Sequence, residues 1–342
     1  MVPRRGASAY PLNGPNRGYY RQAVLSAPGR PWESSTLGIT IAICTWNRSQ
    51  SLRATLLSLQ QLVAPSGIDW ELIIVDNNCS DDTDEVIAHF ADSLPIRLLR
   101  EIRQGHSYAR NCAVAAAKGD YILWTDDDVI VDPYWLVAYA NALRTWPKAA
   151  LFGGPIKLEL KGNPPSWFAE LLIEEDFTTV YAHRDLSNVP IKLNLKRGLV
   201  PYGANLCIRM REQRNLLYNP RLGRCRSEQI RGEEVEVVRT LLASGSEGWW
   251  VPNAIVRHVI AEDLQTQAHL RKYFVGLGRR YVREDPKRKL ASFFRAMRLL
   301  MPATWLELRF QVNRLKEPPK IWFKDLSAAS ICWGRLIELL RT

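Results

Sequence analysis

The sequence predicts an α/β protein whose sheet is mainly parallel and flanked by helices. Three observations predict it: apolar runs of strand length recur, segments with helical spacing separate them, and several runs end in clusters of polar residues. Strands joined by helices of about a dozen residues read as βαβ units. At 342 residues the chain can bury a large core, so one main domain with extensions is expected.

Ile39-Thr40-Ile41-Ala42-Ile43 is β-branched and forms the first strand, which closes on Cys44-Thr45-Trp46-Asn47-Arg48. Apolar residues at 52, 56, 59 and 62 then keep close to helical spacing. Trp70 to Val75 is a second strand, stopping at Asp76-Asn77-Asn78, and Asp82-Thr83 open a helix that runs to Phe90. Ile96 to Leu99 makes the third strand, Tyr108 to Lys118 an Ala-rich helix closed by Gly119, and Tyr121 to Trp124 the fourth strand. The second half is less regular. Pro164-Pro165-Ser166-Trp167-Phe168 enters a helix, Pro201 to Arg209 joins a tight Gly203 position to a strand, and Gly232-Glu233-Glu234 opens an amphipathic helix. Trp249-Trp250-Val251-Pro252 and Ala254 to His258 add short strands, Trp249 and Trp250 reading as packing residues.

Composition sets limits on function. Six cysteines include no CxxC pair, which argues against a disulfide framework or structural zinc and for a reducing compartment. No apolar run approaches a membrane span, and residues 1–36 carry Pro, Gly and Arg instead of a signal core, reading as a disordered leader. A cytoplasmic location is expected, free or on the inner face of the membrane. The net charge of +11 is local. Residues 267–342 hold 17 Lys or Arg against 6 Asp or Glu, whereas residues 1–266 hold 29 of each sign. The expected division is therefore a leader (1–36), an α/β domain (37–265) and a helical basic segment (266–342).

In open α/β sheets ligands collect beyond the C-terminal strand ends. Those ends here carry Thr45-Trp46-Asn47-Arg48, Asp76-Asn77-Asn78 and Asp126-Asp127-Asp128. No GxGxxG follows the first strand and no GxxxxGK[ST] occurs, which argues against a dinucleotide-binding domain and a P-loop enzyme. Three consecutive carboxylates after a buried strand suit a hard divalent cation, Mg²⁺ or Mn²⁺, bridging to a diphosphate. A solvated turn or an acidic helix start is the alternative. If the strand continued through the triplet, Asp126 and Asp128 would share one face and Asp127 would point away.

The order of these motifs resembles the family 2 inverting glycosyltransferases. The resemblance rests on Thr45-Trp46-Asn47-Arg48, Ile74-Val75-Asp76-Asn77 with Ser80-Asp81, Gly105 with Ala109-Arg110-Asn111, Asp126–Asp128, Gly203-Ala204-Asn205, Gly232-Glu233-Glu234-Val235-Glu236 and His258. It spans roughly residues 38–260, and each motif is weak alone but specific in this order. It implies a GT-A type fold, with a Rossmann-like, mainly parallel mixed sheet over 37–265; the leader and the basic C-terminal extension, whose pattern reads as helical, lie outside the resemblance. It also implies a nucleotide-sugar donor, a UDP-sugar first among them, and one sugar moved to a hydroxyl of a glycan, glycolipid or glycoprotein in cell-surface polysaccharide assembly.

By the same resemblance Thr45, Asn47, Arg48, Asp76, Arg110 and Asp126 bind the donor, and Gly203-Ala204-Asn205 form the floor beneath its sugar. Asp128, with Asp126 and His258, holds the divalent cation. Each has a plainer reading: Asp76 as an Asx-turn, Arg48 as an exposed helix start, Arg110 as a buried partner of Asp76 or Asp126, His258 as a core histidine. Inversion needs a general base, and the family commonly has Glu-Asp where this chain has Glu233-Glu234. The base then falls to Glu234, one methylene longer than the usual Asp. The plainer reading is two acidic residues in a first helical turn.

Trp167 and Phe168 are candidate stacking residues for the acceptor. The basic segment has two readings. Phe293, Phe294, Met297, Leu299, Leu300, Trp305, Leu306 and Phe310 beside Arg295, Arg298 and Arg309 form a face for anionic lipid, which suits a lipid-linked acceptor. Alternatively these helices pack back on the domain and expose an ordinary charged surface. No nucleic-acid-binding signature is present. Two rival functions are a nucleotidyltransferase, which would carry a Gly-rich basic loop after the first strand, and an inactive scaffold, which only the Glu234 departure favours.

Overall fold

The computed structural model describes residues 36–220, 222, 224–225, 228–229, 232–285 and 292–341; the expected leader, but for Thr36, lies outside them. The first half alternates as expected. Strands β1 (Leu37–Thr45), β2 (Ile68–Asp76), β3 (Ile96–Arg100) and β4 (Tyr121–Trp124) are joined by helices α1 (Ser49–Leu59), α2 (Thr83–Phe90) and α3 (His106–Ala116). There follow β5 (Val129–Val131), α4 (Trp135–Thr145), β6 (Leu151–Gly153), β7 (Ile156–Leu160), α5 (Ser166–Leu171) and α6 (Glu175–Val180). Then come β8 (Leu206–Arg209), α7 (Met210–Gln213), a small hairpin of β9 (Arg224–Cys225) and β10 (Glu228–Gln229), and α8 (Glu233–Ala243). Strands β11 (Gly248–Trp250) and β12 (Val256–Ile260) precede three long helices: α9 (Gln267–Glu284), α10 (Ser292–Lys316) and α11 (Pro319–Leu340).

Seven strands form the main sheet in the order β11-β6-β8-β4-β1-β2-β3. Strand β1 runs parallel to both β2 and β4, and β8 alone runs antiparallel to its neighbours β4 and β6. A second sheet, β5-β12-β7, stands beside it. Helices cover both faces of the main sheet, so its central strands are apolar on both sides: Ile39, Ile41 and Ile43 bury into one layer, Ala42, Ile73 and Val75 into the other. Crossover connections make the chain leave β1, β2 and β4 at the same edge, which is why their polar ends converge.

The helix after β3 starts at His106, two residues before the Tyr108 expected from sequence. Gly105 precedes it with φ of 145°, a conformation open to glycine, and so turns the chain into the helix early. Trp249 stacks on Trp146 with ring centroids 4.5 Å apart and Trp250 is buried, so both are packing residues.

The basic segment packs back on the α/β body. Leu270 and Phe274 of α9, Phe310 of α10 and Trp322, Phe323 and Leu326 of α11 share one core with Phe168, Phe177 and Tyr181. Helices α9 and α11 meet backbone to backbone. A Cβ at Gly278 would lie 2.2 Å from the Ile331 carbonyl oxygen, and one at Gly334 would lie 2.1 Å from that of Val275. Buried acids anchor the layer: Glu338 pairs with Arg279 and Arg283, and Asp325 with Arg309. Phe310 is thus a core residue, against its expected place on a lipid-facing surface, and Leu299 packs inward beside Leu336 and Leu339. Phe293 lies outside the side chains described.

Candidate active site

A cavity of about 290 Å³ opens beyond the ends of β1, β2 and β4. Cys44, Thr45, Trp46, Arg48, Asn77 and the three aspartates 126–128 line one side of it, with His258 from β12. Tyr181, Leu264, His269, Lys272 and Tyr273 line the other.

The aspartates sit in a turn between β4 and β5, so strand alternation does not apply to them. The expectation that Asp127 turns away from Asp128 is corrected: both face Arg48. Its Nη1 is 2.8 Å from Asp127 Oδ1 and its Nη2 2.8 Å from Asp128 Oδ2. Thr45 Oγ1 donates to the second oxygen of Asp127 at 2.8 Å. The charge of Asp127, then that of Asp128, raises the Arg48 pKa above its ordinary value, so the arginine stays charged. Arg48 precedes α1 yet is no free helix-start residue, since its guanidinium is committed to two carboxylates.

His258 Nε2 lies 3.2 Å from Asp128 Oδ2, and its Nδ1 lies 2.6 Å from the Tyr181 carbonyl oxygen. That carbonyl fixes the ring and leaves Nε2 toward the carboxylate. Burial works against a charged imidazole, but Asp128 and the Tyr181 carbonyl outweigh it and raise the His258 pKa. Asp126 is the most exposed of the three aspartates and reaches toward Arg110, whose Nη2 is 3.9 Å from Asp126 Oδ1.

Arg110 is buried between the rings of Trp124 and Tyr218, its guanidinium carbon 5.2 and 5.1 Å from their centroids. Burial pulls its pKa down, but Tyr218, Glu233, Glu234 and Asp126 outweigh burial and hold it above the ordinary value. Among the described residues its Nε and Nη1 have no hydrogen-bond partner. An unpaired buried donor is costly, which marks these nitrogens as available to a ligand or to a moving carboxylate.

Glu233 and Glu234 open α8 behind this arginine. Both oxygens of Glu233 are engaged: Oε1 with His106 Nδ1 at 2.7 Å and Oε2 with the Gly232 N–H at 3.0 Å. Burial works against the Glu233 carboxylate, but His106 and Arg110 hold its pKa well below the usual range. Glu234 is half-buried and its pKa is raised, first by burial and then by the charge of Glu233, against the pull of Arg110. Gly203 makes this crowding possible. A Cβ there would lie 2.7 Å from Arg110 Nη2 and 3.0 Å from Glu234 Cγ.

Several expected residues have structural work instead of a free face on the cavity. Asp76 Oδ1 accepts the Cys79 N–H at 2.7 Å, tying the turn after β2 to its own strand end, and its other oxygen pairs with Arg100. Asn47, at φ of 50°, accepts the Ser80 N–H at 2.6 Å and ties the first two strand ends together. Asn205 is saturated: its oxygen accepts Trp135 Nε1 and the Tyr139 hydroxyl, and its amide donates to the carbonyls of Pro155 and Ala254. It supports the floor at Gly203 and Ala204 from beneath and does not face a ligand. Phe168 is fully buried and Trp167 packs edge-on to Trp322, so neither presents a stacking face to the cavity.

Other residues of the site were given no role of their own in the sequence reading. Asn77 donates to the carbonyls of Glu101 and Arg103 and accepts the Gly105 N–H, holding the β3–α3 loop against the cavity. His106 lines the cavity on one side and grips Glu233 on the other. Gly105 was the available signal for it. His269, Lys272 and Tyr273 of α9 had none, because helical spacing does not say which face meets a distant strand end.

A family model described as glycosyl transferase family 2 matches residues 40–193. Over that stretch, a little under half of its length, the chain is similar to the family 2 glycosyltransferases. The chain is 29% identical over 137 residues to the succinoglycan biosynthesis protein ExoM of Rhizobium meliloti, a match covering 39% of the chain and 43% of the relative. It is 32% identical over 98 residues to the Escherichia coli UDP-Glc:alpha-D-GlcNAc-diphosphoundecaprenol beta-1,3-glucosyltransferase WfaP, covering 29% of the chain and 36% of the relative. The matched regions thus span less than half of these relatives. The mannosyltransferase PcManGT of Pyrobaculum calidifontis, solved with GDP-Man and Mn²⁺, aligns over 90% of both chains at a TM-score of 0.51 and 15% identity. That likeness shows the shared fold, the GT-A type.

Proposed function

We propose that the protein is an inverting glycosyltransferase that moves one sugar from a nucleotide-sugar to a hydroxyl of a glycan or lipid-linked acceptor in polysaccharide assembly. The single observation that carries this reading is the division of labour between Glu233 and Glu234. One carboxylate is spent on His106 and Gly232, and its neighbour is left half-buried with a raised pKa beside a buried arginine. A general base needs a pKa near the working pH and a site it can reach, and burial and the charge of Glu233 shift Glu234 upward, in the direction of the first of these.

The donor occupies the cavity between Arg48 and α9. A polysaccharide setting agrees with the names of the ExoM and WfaP relatives, and the second of these uses UDP-Glc, so a UDP-sugar is the first donor to test. The residues fit a divalent cation: Asp128 and His258 are adjacent and Asp126 faces the same space, a carboxylate-rich set that leaves positions for phosphate oxygens. Among the described residues no group of three His, Cys, Asp or Glu is arranged to hold a metal unaided. Asp128 and His258 would hold it, with Asp126 nearby, and it would neutralise the diphosphate as charge develops there.

The chain's own groups do the rest. Arg48 keeps Asp127 and Asp128 from repelling each other before substrate arrives. Glu234 takes the acceptor hydroxyl proton as that oxygen attacks the anomeric carbon from the face opposite the departing diphosphate. Arg110 offsets the charge of Glu233 and Asp126, and Glu233 fixes the start of α8 so that Glu234 is aimed.

The test is nucleotide release and sugar transfer across a panel of nucleotide-sugars, with Mn²⁺ or EDTA, for wild type and Glu234→Gln. Metal-dependent turnover with one donor that collapses in the variant supports the assignment. Metal-dependent donor binding with no turnover, across varied acceptors, would sink it.

A further inference from the structure

Helix α10 carries a surface that glycosyl transfer does not use. Eight of the twenty exposed large apolar side chains among the described residues lie on this one helix. Met297, Met301, Trp305, Leu308, Val312 and Leu315 are between 44 and 80% exposed. Their intervals of four, four, three, four and three residues place them in one stripe along some 18 positions. A soluble surface rarely leaves so long an apolar strip uncovered.

The stripe's charge context names its occupant. Along Ser292–Lys316 there are five basic residues, Arg295, Arg298, Arg309, Arg314 and Lys316, and one acid. That acid, Glu307, is turned inward onto Arg271, with its oxygens 2.7 and 2.9 Å from the guanidinium nitrogens. Arg295 and Arg309 are paired with Asp285 and Asp325, so the exposed Arg298, Arg314 and Lys316 supply the positive edge of this apolar face. The opposite face is already occupied, since Ala296, Ala303 and Phe310 are buried. No helix among the described residues is long and apolar enough to cross a membrane.

We propose that α10 is an interfacial helix: its outer stripe lies in the headgroup region of an anionic lipid bilayer, parallel to the membrane plane, and holds the enzyme there. An apolar face with basic edges and an indole near its middle is the physical requirement for that arrangement. Interfacial binding by the full-length helix, already folded against α11, avoids the cost of ordering a segment on the membrane. The stripe differs from the face read off the sequence, because Phe310 and Leu299 point inward while Leu308, Val312 and Leu315 point out.

The test is flotation of the full chain with phosphatidylcholine vesicles and with vesicles of phosphatidylcholine and phosphatidylglycerol. It is run beside light scattering of the protein alone, for wild type and Met301→Glu/Leu308→Glu. Both changed side chains are exposed, so the fold is retained, and vesicle-free donor hydrolysis serves as the check on it. The expected result is flotation with the anionic vesicles only, weakened by salt, and lowered at least about tenfold in the double variant. Two outcomes overturn the proposal: no flotation with either vesicle, or a wild-type dimer that the double variant converts to monomer, which would assign the stripe to a second copy of the chain. Since hydrolysis is read without lipid, failure of the membrane reading and failure of the transferase reading are separate results.

Discussion

The two walls of the cavity are built on different physics. The strand-end wall is held by polar bonds of fixed geometry: Arg48 to Asp127 and Asp128 at 2.8 Å each, Thr45 to Asp127 at 2.8 Å, His258 to Asp128 at 3.2 Å. The facing wall is held by packing. His269, Lys272 and Tyr273 stand where they do because α9 is pressed against α11 and against the aromatic core around Phe168 and Phe177. The first wall carries the charges that chemistry needs, whereas the second sets the width and closes the space. A change in the first should alter rate without altering stability, and a change at the seat of the second should alter both.

The largest effect is expected at Glu234. Removing a general base costs on the order of 10²- to 10⁴-fold, so Glu234→Gln should lose transfer by that factor with an unchanged melting temperature. The pH profile gives the same residue a second signature. Glu234 works as its carboxylate, and its pKa is raised, so kcat/KM should fall with decreasing pH at a higher pH than an ordinary glutamate would give. Its neighbour has the opposite sign. Glu233 is held low, so the stability it contributes is present above the ordinary glutamate range and is lost as pH falls through and below that range. Activity should therefore fail before the fold does on acidification, and coincident transitions would contradict the assignment of roles.

Next in size is Asp128, where both an arginine and a histidine converge. Asp128→Asn keeps the shape and removes the charge. Transfer should drop about 10²- to 10³-fold, the loss typical of one electrostatic contact to a transition state. The Mn²⁺ concentration needed for half-maximal activity should rise as well. A variant with normal metal response would rule Asp128 out as a ligand of the cation.

How far the sequence could be read follows the same division. The strand-end wall is local: the carboxylates, Thr45 and Arg48 sit within a few residues of strands that are apolar throughout, and a strand end tells where its next residue goes. Even there, the turn after Trp124 defeated simple alternation, and Asp76 and Asn205 proved to be engaged by Cys79 and Arg100 and by Trp135 and Tyr139. The Asp76–Cys79 bond is local and agrees with the plainer turn reading of Asp76, but Asn205 and Trp135 stand 70 positions apart, and no local pattern announces that bond. The facing wall was illegible. Its α9 residues come from a segment whose basic excess drew attention to lipid or solvent, while the pair Gly278 and Gly334, which sets their position, looks like two ordinary small residues in a helical pattern.

That pair gives the third prediction. Val at 334 places atoms against the Val275 backbone, which has no flexible end to move aside. Overpacking of this kind costs about 1–3 kcal/mol, so Gly334→Val should lower the melting temperature by a few degrees. It should also raise KM for the donor, because α9 would shift with its wall. If the melting temperature drops and KM does not, the second wall contributes no contact to the donor and only fills the space behind it.

The smallest effect, and the one that separates contact from shape, is expected at Lys272. It lines the cavity from an exposed position on α9, the same cavity that the aspartates and Arg48 line. An exposed ammonium facing an anionic ligand is worth little and is screened by salt, so Lys272→Ala should raise donor KM by about two- to five-fold at low ionic strength and less at high. kcat should be unchanged, since the contact would be the same before and during reaction. Removing the side chain does not disturb the α9–α11 seat, so the melting temperature should hold. A salt-dependent KM effect makes the basic segment a participant in donor binding; a salt-independent one means that only the bulk of the side chain matters.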